Sequence, residues 1–197
     1  SLTPAVGARV SEWTLVRPLG QGAMAEVWLA ENAAGDRVAI KILRDVAAAH
    51  APRFAAEIEA LQRLEHPGIV HLVASGRQGG HPWFAMDVVD GADLALLGER
   101  LLGRPVSERH GRAREIGAQL ADALHYLHGC GIVHRDVKPA NVIFADGHAV
   151  LADFGAAADV DAPVGGGFVG SVAWATPEAL LGGRVDARAD QYGFGLV

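Results

Sequence analysis

The chain has 197 residues, half of them apolar, and a single cysteine, Cys130; this is enough for one domain with a real core, leaves no internal disulfide framework and fits a reducing compartment. The net charge of −6 is spread over interleaved acids and bases, so no basic face advertises nucleic acid and no polybasic run an anionic membrane. No apolar run approaches the roughly 18–20 residues of a membrane span, and no charged head precedes an apolar stretch at the N-terminus, so the expected location is cytoplasmic.

From residue 13 to 43, short β-prone runs at 13–19, 26–30 and 37–43 are split by Gly20-Gln21-Gly22 and Ala34-Gly35-Asp36. That pattern predicts a meander of three antiparallel strands. Pro52 opens a helix to about Glu65 with Phe54, Ile58, Leu61 and Leu64 on one face, and His66-Pro67-Gly68 stops it. Strands at 69–74 and 83–89 complete a five-stranded sheet with one helix. Beyond Gly91 the pattern turns helical. A short helix near 93–102 is followed by a long one over about 107–128, with Ser107 as N-cap and Ile116, Leu120, Leu124 and Leu127 along one face. A hairpin of 142–145 and 149–152 follows, then a glycine-rich segment around Gly165-Gly166-Gly167. The expected class is α+β: a lead over 1–12, a small mostly β lobe over 13–90, and a mainly helical part over 91–197, with a ligand expected in a cleft between lobes.

The densest chemistry lies in His134-Arg135-Asp136-Val137-Lys138-Pro139-Ala140-Asn141, followed twelve residues later by Asp153-Phe154-Gly155. Phosphoryl transfer needs one carboxylate to orient the attacking hydroxyl and other oxygen ligands to hold Mg²⁺ on a triphosphate. Asp136 suits the first task, and Asn141 with Asp153 the second. This constellation resembles the catalytic apparatus of the protein kinases, and in particular the bacterial kinases of eukaryotic type.

Further motifs stand in the family's order. Leu19-Gly20-Gln21-Gly22-Ala23-Met24-Ala25-Glu26-Val27 resembles the glycine-rich loop, where the absence of β-carbons lets backbone approach phosphate oxygens, with Ala25 where a third glycine usually stands. Val38-Ala39-Ile40-Lys41 resembles the strand whose lysine holds the α- and β-phosphates and pairs with a helix glutamate. The resemblance places Glu57 on the inward face of the helix as that partner; its rival, Glu59, lies about 200° further round, on the opposite side. The resemblance also implies Met86 at the back of the adenine pocket. It implies the carbonyl of Asp87 and the amide of Val89 on the adenine edge, and Val27, Ala39 and Ile143 around the base. Asp93 falls where ribose hydroxyls are often bound, and equally where an N-cap for the next helix is needed.

On the catalytic side the resemblance gives Asp136 the acceptor proton and Lys138 the charge on the transferred phosphoryl group. A lysine two residues after the aspartate is typical of serine/threonine kinases. The expected function is therefore transfer of the γ-phosphate of ATP, with Mg²⁺, to Ser or Thr of a protein. His134 reads as packing on Phe154 rather than as a base, and His125 with His128 as filling rather than a metal pair. A column of Leu61, Leu72, Phe154 and His134 is expected to rest on Asp190.

Gly170-Ser171-Val172-Ala173-Trp174-Ala175-Thr176-Pro177-Glu178 resembles the end of an activation segment, with Ser171 structural first and a phosphosite second. No Ser, Thr or Tyr lies between Gly155 and Gly170. The expectation is that Asp159 or Asp161 partly substitutes for a phosphoresidue opposite Arg135, or that the loop stays mobile. In the family the helix beginning near Asp190 continues and further helices follow. The expectation is a catalytic domain cut short, with Glu178 missing its usual arginine partner and the chain marginally stable. A truncated, non-catalytic ATP-binding or scaffolding module is the alternative. Phosphotransfer to a small metabolite is a third reading, and the Thr176-Pro177-Glu178 element speaks against it.

Overall fold

The computed structural model describes residues 3–22, 24–44, 50–159 and 172–197. They form two compact units, residues 1–62 with 71–88 and residues 63–70 with 89–197.

The first unit is an antiparallel sheet of β1 (Arg9–Val10), β2 (Trp13–Gln21), β3 (Ala25–Glu31), β4 (Arg37–Leu43), β5 (Leu72–Gln78) and β6 (His81–Asp87), in the order β1-β2-β3-β4-β6-β5, with helix α1 (Ala51–Gln62). Side chains alternate at period two, and one face buries Trp13, Leu15, Trp28, Ile40, Ile42 and Trp83 as a single cluster. Each such side chain contributes about 1.5–3 kcal/mol through lost apolar exposure. Asn32 shapes the β3–β4 turn, its side-chain oxygen accepting from the amides of Ala34 and Asp36 at 2.9 Å. Pro18 is tolerated because β1 pairs with β2 only as far as Thr14, leaving an open edge at the proline.

Six strands replace the expected five. The extra one, Arg9–Val10, is too short to show alternation. It is tied to the opposite edge by Gln78 of β5, which accepts from the Ser11 amide and donates to the Arg9 carbonyl. The strand expected at 69–74 also shifts, to Leu72–Gln78. Gly68, Ile69 and Val70 belong to the second unit, where the Val70 amide bonds the Leu151 carbonyl and the Leu151 amide bonds the Gly68 carbonyl.

The second unit contains α2 (Leu94–Leu101), α3 (Val106–Gly129), α4 (Pro177–Leu180) and α5 (Ala187–Leu196). Its short strands are β7 (Ala92–Asp93), β8 (Ile132–Val133), β9 (Val142–Ala145), β10 (His148–Leu151) and β11 (Ala158–Asp159), paired as β10-β9-β7 and β11-β8. Helix α3 buries Ile116, Leu120, Ala123, Leu124 and Leu127, a stripe with helical period. It starts one residue earlier than expected, at Val106, with Pro105 at the cap position. Ser107 is thus inside the first turn and is not the cap.

The β9–β10 hairpin turns on Asp146 and Gly147, both at positive φ, the Asp-Gly pairing that a two-residue turn demands. Gln119 of α3 clamps it, donating to the Gly147 carbonyl at 2.8 Å and accepting from the Ala149 amide at 2.7 Å. Gly193 lets α5 touch the loop after β8, for a β-carbon there would lie 2.6 Å from the Val137 carbonyl oxygen. Among the described residues no helix is long and apolar enough to cross a membrane.

Candidate active site

In the first unit, the ladder fixes which residues share a face. Val27 stands opposite Lys41, Lys41 opposite Phe84, and Ala39 opposite Met86. These five therefore lie on the face away from the tryptophan-rich cluster. Helix α1 covers part of that face, with the Phe54 and Phe84 ring centroids 5.2 Å apart.

Phe54, Glu57 and Leu61 form the buried stripe of α1, which puts a carboxylate among apolar neighbours, where it needs a partner. Lys41 supplies it, donating to Glu57 at 2.7 and 3.0 Å. Glu57 is 3% exposed, whereas Glu59 faces solvent. Ile58, expected on the apolar face, is only half-buried.

Leu19, Gly20, Gln21 and Gly22 form the exposed end of β2 and its turn, with the Gly22 amide bonded to the Ala25 carbonyl at 2.9 Å. Ala23 lies outside the described residues. Ala25, standing where the resemblance has a third glycine, is buried in the ladder opposite Leu43, so its methyl group is accommodated by the sheet. Asp87 ends β6, with its amide on the His71 carbonyl at 3.0 Å.

In the second unit, Val89 precedes β7, and Asp93 stands opposite Ile143 in the β7–β9 pairing. One Asp93 carboxylate oxygen accepts from the Leu96 amide at 2.8 Å, so Asp93 caps α2.

The loop over 134–141 is organised around Asp136. Lys138 donates to its Oδ2 at 2.6 Å, and the Asn141 side-chain amide donates to its carbonyl at 2.8 Å and its Oδ2 at 3.1 Å. A single 3₁₀ turn over Pro139–Asn141, closed by the Asn141 amide on the Lys138 carbonyl at 3.0 Å, brings the three side chains together. Because the NH₂ of Asn141 is spent on Asp136, its oxygen is the atom left for a cation.

His134 is fully buried, and both ring nitrogens are used. Its Nδ1 accepts from the Asp136 amide at 3.3 Å, which requires the proton on Nε2, and Nε2 then donates to the Ala152 carbonyl at 3.1 Å. That tautomer leaves no nitrogen for a substrate proton. The ring also meets Phe154 edge-on at 4.8 Å.

Beneath this pair, Asp190 of α5 is fully buried and accepts from the amides of His134 and Arg135 at 2.9 and 2.8 Å and faces His128 Nε2 at 2.8 Å. The lower part of the expected column, Phe154 on His134 on Asp190, is thus one stack. Leu61 and Leu72 belong to the other unit. Arg135 and Asp153 both sit at positive φ, 68° and 58°. The turn at Asp153 exposes that carboxylate while burying Phe154.

Arg135 is half-buried, and desolvation draws its pKa below the ordinary guanidinium value, with Asp190 opposing the shift. The expectation that Asp159 faces Arg135 is corrected. Asp159 pairs with Arg63 at 2.7 Å, because the β8–β11 pairing places it beside the end of α3; Asp161 and Ser171 lie outside the described residues. Thr176 has a local reason to replace the usual small residue: it is buried and its hydroxyl caps α4 by accepting from the Ala179 amide at 3.3 Å.

His128 as a partner of Asp190 and Arg63 as a partner of Asp159 were not anticipated. Both contacts join residues more than sixty positions apart, and no local pattern marks them.

Residues 13–197 match the protein kinase domain family. The chain belongs to that family. The serine/threonine-protein kinase PknF of Mycobacterium tuberculosis is 42% identical to this kinase domain over 203 residues, covering 95% of this chain and 42% of PknF. The serine/threonine-protein kinase pkn2 of Myxococcus xanthus is 36% identical over 197 residues, covering 93% of this chain and 23% of that protein. The crystal structure of the Mycobacterium tuberculosis PknI kinase domain matches with a TM-score of 0.73 and 35% identity, over 99% of this chain and 75% of that one. The α+β kinase fold expected from the motifs is therefore the fold found. The chain spans less than half the length of these curated relatives.

Proposed function

We propose that this chain carries the catalytic machinery of an ATP- and Mg²⁺-dependent serine/threonine protein kinase acting on a protein substrate in the cytoplasm. The observation that carries the reading is the Asp136–Lys138–Asn141 cluster, with Lys138 Nζ 2.6 Å from the Asp136 carboxylate. One carboxylate held between a cation and an amide suits the alignment of an acceptor hydroxyl while charge on a phosphoryl group is neutralised beside it.

Asp136 orients the attacking hydroxyl and takes its proton at the carboxylate, and Lys138 steadies the transferred group. Lys41, fixed by Glu57, holds the α- and β-phosphates. Gly20, Gln21, Gly22 and Ala23 cover the triphosphate. Leu19, Val27, Ala39, Met86 and Ile143 take the base, the backbone of Asp87 and Val89 reads its edge, and Asp93 uses its remaining oxygen for the ribose.

The donor set fits Mg²⁺. Asn141 and Asp153 offer hard oxygens, the donor type that suits an ion sharing its shell with water and substrate phosphates. When bound, Mg²⁺ neutralises charge on the β- and γ-phosphates.

The test is transfer of labelled γ-phosphate to a generic protein acceptor, followed by identification of the labelled residue. Phosphoserine or phosphothreonine is expected. Label on a small metabolite alone would overturn the reading.

A further inference from the structure

The kinase reading leaves unexplained how the segment after Asp153-Phe154-Gly155 is held, since residues 156–170 offer no hydroxyl to phosphorylate. We propose that Arg63 is a positioning residue for that segment, stapling β8 to β11 through the Asp159 carboxylate and the Cys130 carbonyl, and so replacing the phosphoresidue on which such segments otherwise depend. The inference rests on the proposed kinase function and names a device that orders its site.

Arg63 Nη1 donates to Asp159 Oδ1 and Nη2 to the Cys130 carbonyl, both at 2.7 Å. Cys130 lies two residues before β8, and Asp159 is the last residue of β11. The β8–β11 ladder is only two residue pairs long, Val133 with Ala158 and Ile132 with Asp159, and so short a ladder is marginal alone. Each strand adjoins chemistry, for β8 runs straight into His134-Arg135-Asp136 and β11 begins three residues after Gly155.

The guanidinium fork suits this task because its two outer nitrogens reach acceptors on two strands at once, which the single ammonium of lysine does not. An aspartate already in place makes the staple independent of an upstream kinase. Arg63 and Asp159 are about half exposed, and an exposed ion pair adds little to global stability. The expected effect is therefore on placement, not folding.

The test compares the chain with Arg63→Ala, Asp159→Ala and Asp159→Glu by two readouts. These are hydrogen exchange at the amides of 132–133 and 158–159, and kcat with KM for Mg-ATP. Both alanine variants are expected to keep the thermal midpoint and the KM, exchange those amides faster, and lose about tenfold or more in kcat, the scale of a small misplacement of reacting groups. Asp159→Glu recovers most of the loss, and phosphatase treatment of the unaltered chain changes nothing.

Unchanged exchange in Arg63→Ala, or full kcat in both alanine variants, overturns the staple. So does a large loss of kcat on phosphatase treatment. Should the unaltered chain transfer no phosphate, the kinase reading fails instead, and the exchange measurement alone then decides for or against the staple.

Discussion

The carboxylate of Asp190 and the backbone amide of Arg135, 55 residues apart in sequence, are joined by a 2.8 Å hydrogen bond that holds the 134–141 loop on α5. Its other oxygen takes the His134 amide and faces His128. Asp190→Ala leaves the buried His134 amide and the half-buried Arg135 amide without their acceptor and is expected to cost about 3–5 kcal/mol. Asp190→Asn, which keeps one acceptor oxygen, costs less. Chemical denaturation of the two variants ranks them, and equal stability with the parent would refute the anchoring role.

Lys41→Ala removes the partner of a buried carboxylate. About 1.5–3 kcal/mol of stability goes with the charged hydrogen bonds to Glu57, and turnover falls by two orders of magnitude or more, roughly the loss seen when an electrostatic donor is removed from a reacting phosphate or oxyanion. Glu57→Gln, which keeps one acceptor oxygen, has smaller effects in both assays. Melting curves and steady-state rates give the comparison.

Asp153→Asn weakens the oxygen donor set for Mg²⁺ while leaving Phe154 on His134. The Mg²⁺ concentration for half-maximal activity is expected to rise about tenfold or more, by analogy with losing part of a metal's coordinating support. Chelation with EDTA abolishes turnover reversibly. A Mg²⁺ titration of the variant that overlays that of the parent counts against Asp153 as a ligand.

The start of α5 has a pH signature. The Asp186 side chain accepts from the amide and side chain of Arg188, which lowers its pKa to about 2. Because the folded value lies below the unfolded one, the contribution to stability is complete above about pH 4 and is lost as pH falls toward 2. Asp186→Ser keeps a cap without the charge. The gap in melting temperature between parent and variant should close over that acid window, by a small amount because the partner Arg188 is exposed to solvent; a gap that widens there contradicts the assignment.

Much of this was legible in the sequence because the chemistry is local. Asp136, Lys138 and Asn141 lie within six residues, and a single turn at Pro139 suffices to gather them. The ladder carries Lys41 onto the face of Val27 and Ala39 by simple alternation, and the resemblance to the family places Glu57 on the inward face of its helix, where it shares the buried stripe of Phe54 and Leu61. What escaped the sequence depends on long-range pairing. Arg9–Val10 becomes a strand by pairing with Trp13 and Thr14, and Gln78, far along the chain, holds its turn. Ser107 looked like a cap because serine usually caps, whereas Pro105 fixes the entry to α3. Asp159 is one of two acids expected near Arg135, and the β8–β11 register brings it to Arg63 instead.

The most direct test of the whole account is turnover of γ-phosphate transfer by Asp136→Asn, an isosteric change that keeps an oxygen to accept from Asn141 and removes both the proposed proton acceptor and the charge facing Lys138. The account predicts a loss of about 10²–10⁴-fold in kcat with Mg-ATP binding and melting temperature nearly unchanged. A variant that transfers phosphate at the parent's rate would contradict it.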